Sequence, residues 1–299
     1  MRIIDLSREL YHRTPTYPGQ PPIIHGVWKT HEEAFAESGN VQGNSVMFFS
    51  MPDHGGTHID APRHFGKTGT PIDEYPLDHC YVKGICLDLR HIAPKAEITP
   101  ADLEAAVKTS GLAIPKKGTV LLCTGHHART FPSAAYSTDN SGVNVAATEW
   151  LARQGIVHFG IDSMRPGPIG VVNSLVHKAC LELDITHIES LCNLEALIGE
   201  GEFRFIGLPL KWRGGTGSPI RAVALFDDWR RSRDPLTSSD DRKTCTPRRA
   251  YSTLGTISAS RREEHVAPWP LPSRPPRSAS HSAPPRSSWR MRSAPCAWT

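Results

Sequence analysis

Residues 54–65 read HGGTHIDAPRHF and place three histidines and one aspartate within twelve positions. Imidazole and carboxylate groups ligate divalent metals, and they are also common general acids and bases. His54 and His58 stand four apart, the spacing that puts two imidazoles on one helix face in HExxH zinc proteases. The glutamate of that motif is missing here, and Gly55, Gly56 and Pro62 make a helix through the segment costly. An extended reading fits better. A strand ends near Pro52 and a tight glycine turn brings His54 back near His58. His58 and Asp60 alternate across Ile59, so in extended chain they point the same way. Two neutral imidazoles and a carboxylate form a mixed N/O set that suits Zn²⁺ or Mn²⁺ better than Ca²⁺ or Mg²⁺. His64, past the proline, is either a fourth ligand or a free acid/base with a suitable pKa. A single histidine is usually a surface or satisfied core residue; this density, with an aspartate and paired glycines, is harder to explain that way.

A second set lies further on. His177 falls on SLVHKACLELD (174–184) and Glu189 on ITHIESL (185–191), with His187 a competing candidate. Taken alone, one helix histidine and one strand glutamate are ordinary surface residues, so spacing leaves this set open.

The elements that must carry these residues are legible from pattern. MRIIDLS (1–7), NSVMFFSMP (44–52), YVKGICLDLRH (81–91), GTVLLCTG (118–125), IVHFGID (156–162), ITHIESL, FRFIGLPLKW (203–212) and PIRAVALF (219–226) read as strands. ITPADLEAAVKTSG (98–111) reads as a helix capped by Thr99, with Pro100 in its first turn and Gly111 at its end. NVAATEWLARQG (144–155) and SLVHKACLELD are further helices, HEEAFAESG (31–39) is loop or short helix, and TPTYPGQPP (14–22) is a rigid loop holding Tyr17. Helices interleaved among more numerous strands predict one α/β domain.

From about residue 233 the composition changes. Residues 234–299 hold ten prolines, many serines, and eleven Lys+Arg against five Asp+Glu, with no helix or strand period. Such a segment cannot bury enough apolar surface to offset its ordering entropy, so a folded domain over 1–233 and a disordered Pro/Ser/Arg-rich tail over 234–299 are expected. The Arg/Pro/Ser/Ala/Trp bias is also that of GC-rich DNA read out of frame. The whole chain carries +4 and the tail +6, leaving −2 on residues 1–233. The basic balance therefore belongs to the tail, and neither nucleic acid nor membrane is expected as a partner of the domain. Seven cysteines occur without a CxxC pair, and Cys86 and Cys123 sit in apolar runs as core residues. With no apolar leader and no membrane-length apolar stretch, the expected location is the cytoplasm.

HGGTHIDAPRHF resembles the signature HxGTHxDxPxHF of the bacterial cyclase-like metal hydrolases, a family that includes kynurenine formamidases and isatin hydrolases. The match is specific because Gly, Thr and Pro recur with the ligand types. TYPGQPP, VHFGID, HKACLELDITHIESLCNLEAL and LPLKWRGGTGSPIRAVAL resemble further family blocks in the same order, covering roughly residues 3–228. The resemblance implies a swivelling β/β/α fold of mixed sheets with interleaved helices, and a homodimer or larger homo-oligomer. It implies two divalent ions, Zn or Mn, held by His54, His58, Asp60, His177 and Glu189, with Asp60 between them. His64 matches the catalytic acid/base, and Tyr17 an aromatic that contacts substrate and is often Trp in formamidases. After Asp162, Ser163 is present but the acid that often follows in the family is not. The implied activity is metal-dependent hydrolysis of a C–N amide bond in a small molecule, with an arylformamide such as N-formylkynurenine as the leading substrate. An isatin-type cyclic amide and a non-catalytic, metal-stabilised binding domain are the alternatives.

Overall fold

A computed structural model describes residues 1–226. The boundary expected at 233 and the tail expected over 234–299 lie outside the described residues.

In chain order the elements are β1 (Arg2–Asp5), β2 (Ile24–Lys29), α1 (His31–Glu37), β3 (Val46–Ser50), β4 (His58–Asp60), α2 (Pro62–Phe65), β5 (Tyr81–Asp88), β6 (Glu97–Ile98) and α3 (Pro100–Ser110). They continue as β7 (Thr119–Cys123), α4 (His126–Thr130), β8 (Gly142–Val143), α5 (Val145–Arg153), β9 (His158–Ile161), α6 (Val171–Glu182), β10 (Thr186–Glu189), β11 (Phe203–Ile206), β12 (Gly217–Pro219) and β13 (Val223–Phe226).

Nine strands form one mixed sheet in the order β1-β13-β11-β5-β7-β9-β10-β4-β12. The four central strands, β5, β7, β9 and β10, run parallel. Both arms are antiparallel. This is the mixed α/β architecture expected. Strand alternation divides the core between the two faces. Ile85, Leu87, Val120, Leu122, Phe159 and Ile161 pack with Leu103 of α3, Leu151 of α5 and Val176 of α6. Cys86, Leu121, Cys123, Ile188 and Ile59 project the other way, into a second cluster with Phe203, Phe205 and Ala224. Cys86 and Cys123 are thus core residues as expected, and the five described cysteines are all unpaired.

Local signals explain the helix ends. At α3 the Thr99 hydroxyl accepts from the Asp102 N–H, the Asp102 carboxylate accepts from the Thr99 N–H, and Gly111 closes the helix with φ 66°. The same reciprocal cap, Thr30 with Glu33, makes residues 31–37 a helix rather than a loop.

Two strand expectations are corrected. FRFIGLPLKW is strand only through Ile206, since Gly207 and Pro209 interrupt the ladder. PIRAVALF does not form one strand: Pro219 ends β12 at one sheet edge, while Val223–Phe226 pair with β1 and β11 at the other end. NSVMFFSMP is a strand as expected, and β3 pairs with β2 in a ribbon separate from the main sheet. Among the described residues no helix is long and apolar enough to cross a membrane.

Candidate metal centre

The site follows from strand register. β4 pairs antiparallel with β10, with Ile59 opposite Ile188 and His58 opposite Glu189. Ile59 and Ile188 enter one core cluster. Alternation therefore sends His58, Asp60, His187 and Glu189 to the opposite face, the one covered by α6, which carries His177. Sequence spacing put His58 and Asp60 on one side; only strand pairing brings Glu189 to them.

His54 arrives by a turn. The Gly55 N–H bonds Pro52 O at 2.9 Å, and Gly56 takes φ 75°, a left-handed conformation that glycine adopts without strain. The His54 ring then lies against β12, so that a Cβ on Gly217 would stand 2.8 Å from its Cε1. His54 Nδ1 is 2.7 Å from Asp60 Oδ1, and its Nε2 is 3.0 Å from Thr216 Oγ1. Thr216 Oγ1 in turn donates to Asp53 Oδ2 at 2.5 Å.

His58 is the most informative residue. Its Nδ1 donates to Gly56 O at 2.9 Å, which fixes the ring and leaves the Nε2 lone pair for another partner. That Nε2 is buried and has no hydrogen-bond partner. It faces Asp60 Oδ1 at 3.3 Å and Glu189 Oε2 at 3.5 Å. An acceptor nitrogen aimed at two carboxylate oxygens is unfavourable unless a cation lies among them. The donor set therefore fits a divalent metal, and its N/O mixture is that of Zn²⁺ or Mn²⁺ sites.

The remaining groups surround Asp60. His177 repeats the arrangement of His58: Nδ1 donates to Asn173 O at 2.7 Å, and Nε2 faces Asp60 Oδ2 and Glu189 Oε1, each at 3.9 Å. His64 rides on α2, a single turn with Pro62 at its first position. Its Nε2 is 3.9 Å from Asp60 Oδ2, and its ring centre is 4.1 Å from that of His54. His187 is sealed behind the carboxylates. It has no exposure, stacks on Phe65, and places Nε2 at 3.1 Å from both Asp60 Oδ2 and Glu189 Oε1. Ligand atoms of Asp60, His177, His187 and Glu189 lie close enough to hold one ion, and those of His54, Asp60 and His64 a second, with Asp60 common to both groups.

Opposed charges crowd here. Burial would raise the Asp60 carboxyl, but His187 and His54 beside it hold it well below the usual range. Burial would lower His54, and Asp60 outweighs this, raising it to about 9. His64 and His177 are both lowered, chiefly by burial. Without a cation the carboxylates recruit protons onto neighbouring imidazoles, and a metal ion would displace those protons.

A cavity of about 370 Å³ opens onto this cluster. Its walls include all seven residues expected from sequence: Tyr17, His54, His58, Asp60, His64, His177 and Glu189. Sequence reasoning missed Arg8, Arg165, Asn173 and Ser174, which share the walls and belong to no motif. Asp162, the end of the Gly-Ile-Asp strand, serves the fold instead. It accepts from Thr124 Oγ1 and the His126 N–H, and burial raises its pKa to about 6.

A mixed α/β domain with a buried carboxylate–imidazole cluster at a sheet edge defines the class. Residues 4–167 match the family described as Putative cyclase, a span of more than half the chain, and the chain belongs to that family. Three solved structures share the fold over 75% of this chain. An isatin hydrolase bound to the product analogue thioisatinate aligns at TM-score 0.65 and 23% identity, over 92% of its own chain. Isatin hydrolase A from Labrenzia aggregata aligns at 0.63 and 24%, over 93%. A potential metal-dependent hydrolase with cyclase activity aligns at 0.59 and 22%, over 96%.

Proposed function

We propose that this protein is a metal-dependent hydrolase that cleaves a C–N amide bond in a small molecule, with an arylformamide such as N-formylkynurenine as the leading substrate. The observation that carries the reading is the buried, unpartnered Nε2 of His58 facing Asp60 and Glu189. His54, His58, Asp60, His177 and Glu189 would hold two divalent ions, Zn or Mn. Bound ions supply an activated water near neutral pH and charge stabilisation at the carbonyl oxygen.

The chain's own residues do the rest. His64 is the least buried of these imidazoles, with its side chain 35% exposed at the cavity wall. Burial lowers its pKa, so it is neutral and able to accept a proton at pH 7. It takes the proton of the attacking water and returns it to the leaving nitrogen. His187, behind the carboxylates, orients them by donating its Nε2–H. Tyr17 walls the substrate side. The cavity volume suits a one-ring amide.

An isatin-type cyclic amide is the second reading, supported by isatin hydrolases among the structures that share the fold. The decisive assay measures metal content and hydrolysis of N-formylkynurenine and isatin on the same full-length sample, with added Zn²⁺ or Mn²⁺. Bound metal with cleavage of either substrate supports the hydrolase. Bound metal without cleavage of any amide would leave a metal-stabilised binding domain. His64→Gln is expected to lower kcat by at least 10²-fold with metal content unchanged. Loss of metal in that variant would instead make His64 a ligand, as its place beside His54 and Asp60 allows.

A further inference from the structure

Two buried guanidiniums in the cavity wall have no counter-ion among the described residues. Arg8 and Arg165 are 5% and 2% exposed. Surface arginines such as Arg90 and Arg221 pair with Asp88 and Asp5, yet neither buried arginine forms an ion pair among the described residues. Arg8 donates to Thr14 Oγ1 at 3.3 Å and to Pro15 O at 2.8 Å. Arg165 donates from one terminal nitrogen to Ser137 O at 2.7 Å and Asn140 Oδ1 at 3.1 Å. In both, Nε is buried with no acceptor. The Arg165 guanidinium also sits 4.8 Å above the Tyr17 ring, on the wall assigned to substrate.

A buried cation without a carboxylate is costly, and neutral acceptors offset only part of that cost. The cavity carboxylates do not serve, since Asp60 and Glu189 face the imidazoles. Filling that cluster with metal ions leaves both guanidiniums without a counter-charge. We infer that Arg8 and Arg165 form an anion-recognition subsite, so that the preferred substrate is an amide bearing a carboxylate away from the bond that is cleaved. The inference rests on the hydrolase reading for the scissile amide, and on the two arginines alone for the anion. Guanidinium is suited to this because its planar fork pairs with two oxygens at once.

The test reads binding, so it stands apart from turnover. Benzenesulfonate, a weak metal ligand, and methyl phenyl sulfone, its uncharged counterpart, are titrated calorimetrically into the metal-loaded full-length protein. The sulfonate is expected to bind at least tenfold more tightly. Arg165→Gln and Arg8→Gln are each expected to remove most of that preference while metal content is retained. Arg165→Lys keeps the charge and tests the role of the fork should the glutamine variants fail to fold; it is expected to retain part of the preference. Lys178→Gln, which removes the exposed cation of the same cavity wall that pairs with Glu182, is expected to leave most of the preference intact. No preference in the wild-type protein overturns the inference. So does a preference that survives in both glutamine variants, or one that Lys178→Gln abolishes. Failure to cleave any amide would count against the hydrolase alone.

Discussion

His58 concentrates the argument at the scale of single residues. Its tautomer is fixed by Gly56 O, and its free nitrogen has no protein partner. His58→Ala is therefore expected to reduce bound metal well below the wild-type stoichiometry, read by elemental analysis after dialysis; unchanged metal would rule out a ligand role. His187 tests the layer behind. Removing the donor that orients two ligand carboxylates typically costs 10–100-fold in metal affinity, so His187→Gln should weaken binding by about that factor while leaving some metal bound. Gly217 tests how tightly His54 is placed. A methyl there meets His54 Cε1 at 2.8 Å and Ile59 O at 3.0 Å, so Gly217→Ala should displace the ring and weaken metal binding about tenfold or more. A competitive chelator titration measures both, and unaltered affinity in Gly217→Ala would mean that His54 is free to move. The ligand residues were legible because their types cluster at short spacing. Arg8 and Arg165 were not, because an isolated arginine in a sequence gives no sign of whether it will be buried without a partner.

At the scale of elements, the core strands β7 and β9 lie beside β10, which carries Glu189, and His158 shows how tightly they are fitted. It is buried on β9, donates Nε2–H to His79 O at 2.9 Å, and lies 2.8 Å from Thr119 Oγ1 through Nδ1. Burial lowers its pKa from 6.5 to about 4. The folded chain holds it neutral and the unfolded chain protonates it near 6.5. Its contribution is thus present above pH 6.5 and lost as pH falls toward 4, about 3 kcal/mol in all. Burial raises Asp162 to about 6, an opposite trend in a similar window, so the wild-type curve alone mixes the two. The difference between wild type and His158→Gln isolates His158. In urea unfolding, the wild-type advantage at pH 7 should be mostly gone at pH 4, and a difference independent of pH would refute this. Element type was legible where caps and periodicity agree, as at α3. It was misread where a strand pattern crossed Gly207 or split after Pro219, because pattern reports apolar spacing and not which strand will be the partner.

At the scale of the molecule, the β2–β3 ribbon stands out. Every residue of β3 is exposed, and Trp28, Met47 and Phe49 present large apolar surfaces. A two-stranded ribbon is marginal in water, and exposed apolar patches of this kind are characteristic of association surfaces. The family resemblance implied a homodimer or larger, and we propose that such an assembly would cover this ribbon. Static light scattering is expected to give at least the dimer mass, with Trp28→Glu/Phe49→Glu shifted toward monomer. A monomeric wild-type protein would exclude the assembly.

Sequence by itself determined the ligand types, the extended conformation through His58–Asp60, the glycine turn and the interleaved α/β class, because each depends on local spacing and backbone preference. Tertiary structure decided what those residues become together. Pairing of β4 with β10 places Glu189 opposite His58, α6 delivers His177, and residues more than a hundred positions apart share one cavity. It also set His187 behind the carboxylates and buried two arginines without counter-ions among the described residues. Register and burial are non-local quantities: they depend on which strand lies alongside and which helix covers the face, and no short stretch of sequence contains either.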